Sequence, residues 1–103
     1  MQHAALTHAA GTAKQIAALK AGHHVELWNI NLRITGAVNV TIEDTDGTDL
    51  MGLLTFAAAG NWNPDGNGNP LCRTATGVGL QMLLSGAVLV AGSVSWEYVR
   101  DDP

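Results

Sequence analysis

Two short stretches carry oxygen-bearing side chains at spacings that could bind a hard cation. Residues 43–49 (EDTDGTD) are acidic, and residues 65–69 (DGNGN) follow the first half of a calcium-loop pattern. A helix–loop–helix calcium site needs a mid-loop glycine and a bidentate glutamate at the loop's end. In the second stretch Pro70 and Thr76 take those two positions, and the first lacks the distal glutamate. Both stretches fit turns better, so we expect no metal site.

Histidine and cysteine provide no better catalytic or ligand set. His23 and His24 begin a predicted strand, so their side chains point to opposite faces and cannot chelate one ion. Cys72 follows Leu71 and fits a small buried residue, and a single cysteine excludes an internal disulfide. No nucleophile elbow or phosphate-binding glycine loop occurs. We therefore expect a protein that is not an enzyme and has no cofactor.

The loop at residues 60–70 (GNWNPDGNGNP) contains the strongest candidate for a binding contact. Trp62 combines a large apolar surface with one N–H donor in a polar, turn-rich segment. One hypothesis makes it an interface or ligand contact, together with Asn61, Asn63 and Asp65. The other folds Trp62 back to cap the end of its own domain. The sequence supports both equally.

The elements that must position these residues follow from a period of two in the apolar residues. Side chains alternate between faces along a strand, so this period predicts strands at 25–34, 38–43, 50–56, 70–74, 78–84 and 88–99. Asp46-Gly47 predicts a tight hairpin between the second and third of these. Such regular short strands favour a sandwich or barrel.

The strand at 25–34 has two chemically different faces. One is apolar and is expected in the core: Trp28, Ile30, Leu32 and Ile34. The other is either a solvent-exposed face or a polar subunit interface: Asn29, Asn31 and Arg33. Trp96, on the apolar face of the last strand, is also expected in the core.

The N-terminal part allows two interpretations. Residues 10–20 have a composition that suits a helix, with Ile16 and Leu19 on one side. They also fit a strand with Ile16 and Ala18 facing inward, followed by a turn at residues 20–23. We favour the strand, because a lone helix would need a surface to pack on. Residues 4–8 could add a further strand.

Composition limits the classes of partner. Only 14% of the 103 residues are charged, and the five Lys and Arg are scattered along the chain. The absence of a basic patch argues against direct binding of nucleic acid, and the apolar runs are too short to cross a membrane. We expect one domain, residues 1–103, forming an antiparallel β-sandwich of seven or eight strands.

The order of these segments resembles small jelly-roll proteins of tailed-phage virions. An N-terminal arm, a run of short strands and a long apolar closing strand carry the resemblance from about Thr12 onward. The closing part contributes Pro70, Leu71, Leu80, Met82, Leu84, Gly92, Val94, Trp96, Tyr98 and Val99. The long loop at 57–70 departs from the shorter turn expected.

The resemblance implies a jelly-roll sandwich in the virion, assembled in the host cytoplasm. It implies a homotrimer that decorates and cements the capsid, with the major capsid protein or another virion protein as partner. The alternative is a head-fibre or tail-appendage module that binds host-surface glycans. In that case Trp62 would stack on the sugar, while Asn61, Asn63 and Asp65 would hydrogen-bond to it.

Overall fold

The computed structural model describes residues 1–101, which contain β-strands and no helix. The strands are β1 (Gln2–His8), β2 (Ala13–Ala17), β3 (His23–Ile34), β4 (Val38–Asp44), β5 (Asp49–Phe56), β6 (Gly60–Trp62), β7 (Cys72–Arg73), β8 (Leu80–Leu84) and β9 (Val90–Arg100). The count of nine exceeds the predicted seven or eight because β6 forms within the segment predicted as a loop, whereas β7 corresponds to the strand predicted at 70–74. Both β6 and β7 lie along the same edge of β3. Nothing in this range is a helix that could span a membrane.

The strands form two antiparallel sheets, consistent with the predicted β-sandwich. Sheet A has the order β1-β9-β3-β6, with β7 also paired to β3, and sheet B has the order β2-β8-β4-β5. The pairing is nested: β1 pairs with β9, β2 with β8, β3 with β6 and β7, and β4 with β5. The chain therefore crosses repeatedly between the sheets.

The core lies between the sheets and is built by the predicted alternation. The residues least exposed to solvent come from the four central strands: Val25, Leu27, Ile30, Leu32, Ile34, Val40, Ile42, Leu80, Met82, Leu84 and Val90. Leu6 of β1 and Ala17 of β2 extend this core toward the edges. Burial of these aliphatic side chains is the main favourable contribution to folding.

A β-bulge at Trp28 shifts the alternation in β3. Leu27 pairs with Trp96 and Asn29 pairs with Ser95, which leaves Trp28 as the extra residue. Trp28 is half-buried, and its Nε1 donates to Glu97 Oε1 at 3.0 Å. The prediction that Trp28 faces the core is therefore wrong, whereas Trp96 is half-buried and packs against the core.

The N-terminal segments are strands, and a second bulge changes one predicted orientation. The strand predicted within residues 10–20 is confirmed as β2, and that at residues 4–8 as β1. The register shifts between Gln15 and Ala17, so Ala17 rather than Ala18 is buried. The prediction that Ala18 points inward is wrong, because one extra residue reverses every face beyond it.

The hairpin between β4 and β5 forms at the predicted Asp-Gly turn. Asp44 Oδ1 accepts the backbone N–H groups of Asp46 and Thr48, each at 2.9 Å. Gly47 has φ of 90°, a conformation that glycine adopts without steric cost. The carboxylate at Asp44 thus organises the turn.

Candidate interaction surface

The residues that alternate with the core in sheet A form a broad surface, which we call the outer face of sheet A. Cross-strand pairing arranges it in rows through β1, β9, β3 and β6: His3, Ser95 and Asn29; then Ala5, Ser93 and Asn31; then Thr7, Ala91, Arg33 and Asn61. Most of these residues are exposed. Arg33 is the one charged side chain in these three rows, which present mainly small and amide groups. The next row along the same face is charged and pairs Glu26 of β3 with Glu97 of β9 and Arg73 of β7.

Two open depressions lie on this face. One, of about 260 Å³, is lined by Asn31, Arg33, Asn61 and Asn63 together with small residues of β9. The other, of about 420 Å³, is lined by His3, Ala4, Ala5, Gly92, Ser93, Val94 and Ser95. Their linings offer amide, hydroxyl and imidazole groups, which suit hydrogen bonding to a broad partner.

Short hydrogen bonds within the face hold some of its side chains in place. His3 Nδ1 lies 2.6 Å from Ser95 Oγ, and Asn31 Nδ2 donates to Asn29 Oδ1 at 2.9 Å. Side chains that are short or already held lose little rotamer freedom when a partner covers them. The face is therefore well prepared for burial.

The structure separates the predicted contact residues of the 60–70 loop. Asn61 pairs with Arg33 and lies on the outer face of sheet A, and Asn63 lines the same depression. Trp62 pairs with Leu32, which is buried, so its indole packs against the core and is half-buried. This geometry agrees with the hypothesis that Trp62 covers its own domain.

Asp65 lies apart from these residues in a tight turn. Its carboxylate accepts the Asn67 N–H at 2.8 Å, and Asn67 and Gly68 both have positive φ, of 57° and 87°. The Asn69 N–H donates to the Gly66 carbonyl at 3.0 Å. The depression lined by Asn61 and Asn63 does not include Asp65. Turn formation accounts for its position.

His24, considered from the sequence only as a possible metal ligand, is buried and meets two carboxylates. His24 Nδ1 lies 2.6 Å from Asp101 Oδ1, and His24 Nε2 lies 3.2 Å from Glu26 Oε2. Thr76 Oγ1 donates to Asp101 Oδ2 at 2.8 Å. We call these four residues the His24 cluster. Since both ring nitrogens face acceptors, the cluster favours the doubly protonated ring.

The protonation of this cluster follows from its surroundings. Burial lowers the pKa of His24, but the hydrogen bonds and negative charges of Glu26 and Asp101 outweigh it and raise the pKa above 6.5. The Thr76 hydrogen bond, with His24 and Arg73, lowers the pKa of Asp101. The sequence contained only a weak signal of this cluster, because predicting the cluster requires knowing that β3 pairs with β9.

Cys72 and the metal-ligating side chains are the remaining candidates for chemistry. Burial raises the pKa of the Cys72 thiol to about 11, which keeps it protonated and unreactive at neutral pH. No group of three or more His, Cys, Asp or Glu within residues 1–101 is placed to hold a metal ion.

No family model, curated protein or solved structure matches the chain.

Proposed function

We propose that this chain is a structural protein of a phage virion, a jelly-roll domain that decorates and cements the capsid as a homotrimer. The nested pairing supports the jelly-roll assignment. In a jelly roll a long antiparallel hairpin of strands is wrapped around a core, so the first strand meets the last and the second meets the second-last. Pairing of β1 with β9, β2 with β8, β3 with β6 and β7, and β4 with β5 follows this rule when β6 and β7 are counted as one interrupted strand along β3.

The observation that carries the proposed role is the composition of the outer face of sheet A. Solvent-exposed sheet faces ordinarily carry many charged side chains, and charged residues make up about a quarter of an average soluble domain. Here 14% of the chain is charged, and Arg33 is the one charged residue in the three rows centred on Ser93, whereas the charged row of Glu26, Glu97 and Arg73 lies at one end of the face. Such a face is suited to burial against another protein.

The mechanism we propose is adhesion. The outer face of sheet A lies on the shell, and Asn31, Asn61 and Asn63 hydrogen-bond to the major capsid protein or another virion protein. A stable contact of this kind buries more than about 1,000 Å². Three such contacts in a trimer reinforce one another by avidity. Cementing then strengthens the shell without any reaction.

A second candidate function is binding of host-surface glycans by a head-fibre or tail-appendage module. The amides of Asn31, Asn61 and Asn63 around one depression favour it, because amides pair well with sugar hydroxyls. The position of Trp62 disfavours it, because the indole packs on the core instead of offering a stacking surface. We therefore rank adhesion to a shell first.

Attachment to shells tests the proposal. Undecorated shells come from virus particles that lack the chain, and co-sedimentation measures its attachment. Ser93→Glu places a charge in the centre of the outer face of sheet A, and we expect attachment at least tenfold weaker than wild type. Thr55→Glu, on an exposed position of β5 in sheet B, is the matched control and should attach as wild type does.

The outcomes separate the candidates. Equal attachment of both variants, or no attachment of the wild type, would contradict the cement proposal. Glycan-array binding that Asn61→Ala abolishes would favour the glycan alternative. The proposed trimer is tested by sedimentation equilibrium of the purified chain. A monomer, together with undecorated particles as heat-stable as decorated ones, would also contradict the proposal.

A further inference from the structure

Strand β1 is an edge of sheet A without the usual protection against pairing. Its sequence, QHAALTH, contains no Lys, Arg, Asp, Glu or Pro. It pairs with β9 over all seven positions without a register shift. Proteins normally protect long edges with charges, proline or bulges, because unpaired N–H and C=O groups bind any available strand. β1 has none of these devices.

The other edges within residues 1–101 differ from β1. In β2 the register shifts between Gln15 and Ala17, and Lys14 adds a charge. In β5 the register with β4 also shifts, and Gly52 has φ of 83°. On the far side of sheet A, β6 has three residues and β7 has two. Length, regularity and lack of charge therefore coincide at β1.

We propose that two copies of this chain join through β1, by antiparallel pairing of β1 with β1 of the second copy around a two-fold axis perpendicular to sheet A. The strand that pairs with the free edge of β1 is β1 of a second copy, because β1 is complementary to itself in an antiparallel pair. The inference deepens the proposed function, from which it takes its setting on a shell, but the pairing itself depends on β1 alone.

The two-fold axis lies at Ala5, the middle of the strand. Ala5 of one copy then faces Ala5 of the other, Ala4 faces Leu6, His3 faces Thr7 and Gln2 faces His8. Residues that face each other belong to the same side of the sheet, because His3 and Thr7 both lie on the outer face of sheet A. The central outward pair is alanine on alanine, so nothing bulky or charged opposes close approach.

The geometry connects this pairing to the shell. The copies' β1-β9-β3-β6 paths join into one sheet of eight strands in line. A two-fold axis perpendicular to that sheet keeps both outer faces of sheet A on the same side. Both can then lie on one shell, so the pairing links neighbouring decoration units across a two-fold axis.

Sedimentation equilibrium of the full chain at low salt and rising concentration tests the proposal. Ala5→Lys and Ala5→Glu each place like charges across the axis, so each variant should associate at least tenfold more weakly than wild type. An equimolar mixture should regain the doubled mass, because Lys then faces Glu. Ala5 is exposed, and unchanged circular dichroism verifies that both variants fold.

Ser93→Lys is the matched control, because Ser93 neighbours Ala5 on the same face but lies on β9. The two copies of Ser93 are three strand spacings apart, about 14 Å, so this variant should still double its mass. The measured quantity is a doubling of mass, either from one chain to two or from one trimer to two. A chain that does not form the trimer can therefore still show the pairing, and the two failures are distinguishable. Three results would overturn the proposed β1–β1 pairing. They are a wild-type mass that never doubles, an Ala5→Lys mass that doubles as wild type does, and a mixture of the two variants that does not regain the doubled mass.

Discussion

At the scale of residues, His24 shows how a buried polar group can be stabilised by its neighbours. The ring lies between Glu26 and Asp101, and Thr76 holds the second oxygen of Asp101. These contacts fasten the end of β9 to the start of β3. Because the folded state holds the imidazolium proton more tightly than the unfolded chain, this fastening depends on pH.

We predict that His24 makes stability fall as pH rises above neutrality. The raised pKa of His24 means that the folded protein binds more protons than the unfolded chain between 6.5 and the folded value. The contribution is complete below about 6.5, the unfolded value, and disappears as pH rises through the folded pKa. Urea unfolding between mildly acidic and mildly alkaline pH should show this slope.

The His24→Gln variant should lose that slope, whereas His3→Gln should keep it, because His3 hydrogen-bonds to Ser95 rather than to a carboxylate. An unchanged slope in His24→Gln would contradict the account.

Asp101 acts in the opposite sense. Because its pKa is lowered in the folded state, its contribution to stability is present above about 3.8, the unfolded value, and is lost as pH falls through the folded pKa.

Individual orientations were predictable only where the strands are regular. Asn29, Asn31 and Arg33 lie on the face opposite the core as predicted, because the alternation holds beyond the bulge. Trp28 and Ala18 were placed wrongly, because one extra residue reverses the faces and leaves no sequence signal. The pairing of Trp62 with Leu32 is a long-range contact that the local pattern does not encode, so its orientation could not be predicted from the sequence.

At the scale of elements, β3 and β9 are the long central pair on which sheet A depends. Gly92 lies where the two strands approach most closely. A Cβ added to Gly92 would lie 1.7 Å from the Asn31 carbonyl oxygen and 2.8 Å from its carbon. These are backbone atoms, so relief requires the strands to separate. Only glycine therefore fits at this position without a steric clash.

Gly92→Ala should destabilise the fold by about 3 kcal/mol or more, because it overpacks the centre of sheet A. Gly86→Ala is the matched control, since a Cβ at Gly86 meets nothing within 4 Å. That variant should change the free energy of unfolding by no more than about 0.5 kcal/mol. Urea denaturation measures both, and equal stability of the two variants would refute the close approach.

The β4–β5 hairpin gives a second prediction at this scale. Asp44→Ala removes the acceptor of two backbone N–H groups and should cost about 2 kcal/mol in the free energy of unfolding. Asp46→Ala changes an exposed residue of the same turn and should cost less than about 0.5 kcal/mol. If thermal and urea unfolding find the two variants alike, the Asp44 carboxylate does not organise the turn.

Element positions were largely predictable, whereas their arrangement was not. Alternating apolar residues located the strands from 25 onward except β6, which lies in the segment predicted as a loop, and Asp46-Gly47 located the hairpin. The partners of β1, β2 and β3 are distant in sequence, with β1 and β9 at opposite ends of the chain. Periodicity identifies a half-buried strand but does not say which strand lies beside it.

At the scale of the whole molecule, the two sheets leave surfaces with different roles. The inner faces form the core, the outer face of sheet A presents small and amide groups, and β1 leaves an unprotected edge. The acidic chain, with net charge −4, has Arg33 as the one charged residue in the three rows centred on Ser93, and the charged row of Glu26, Glu97 and Arg73 lies at one end of that face. We interpret this distribution as that of a protein that acts by contact.

The most direct test of this account is cryo-electron microscopy of virus particles produced from the genome that encodes the chain. We predict density for the sandwich on the outside of the shell, with Asn31, Ser93 and Asn61 of the outer face of sheet A turned toward the capsid protein. Particles without such density, or a sandwich attached through sheet B with the outer face of sheet A open to solvent, would contradict the account.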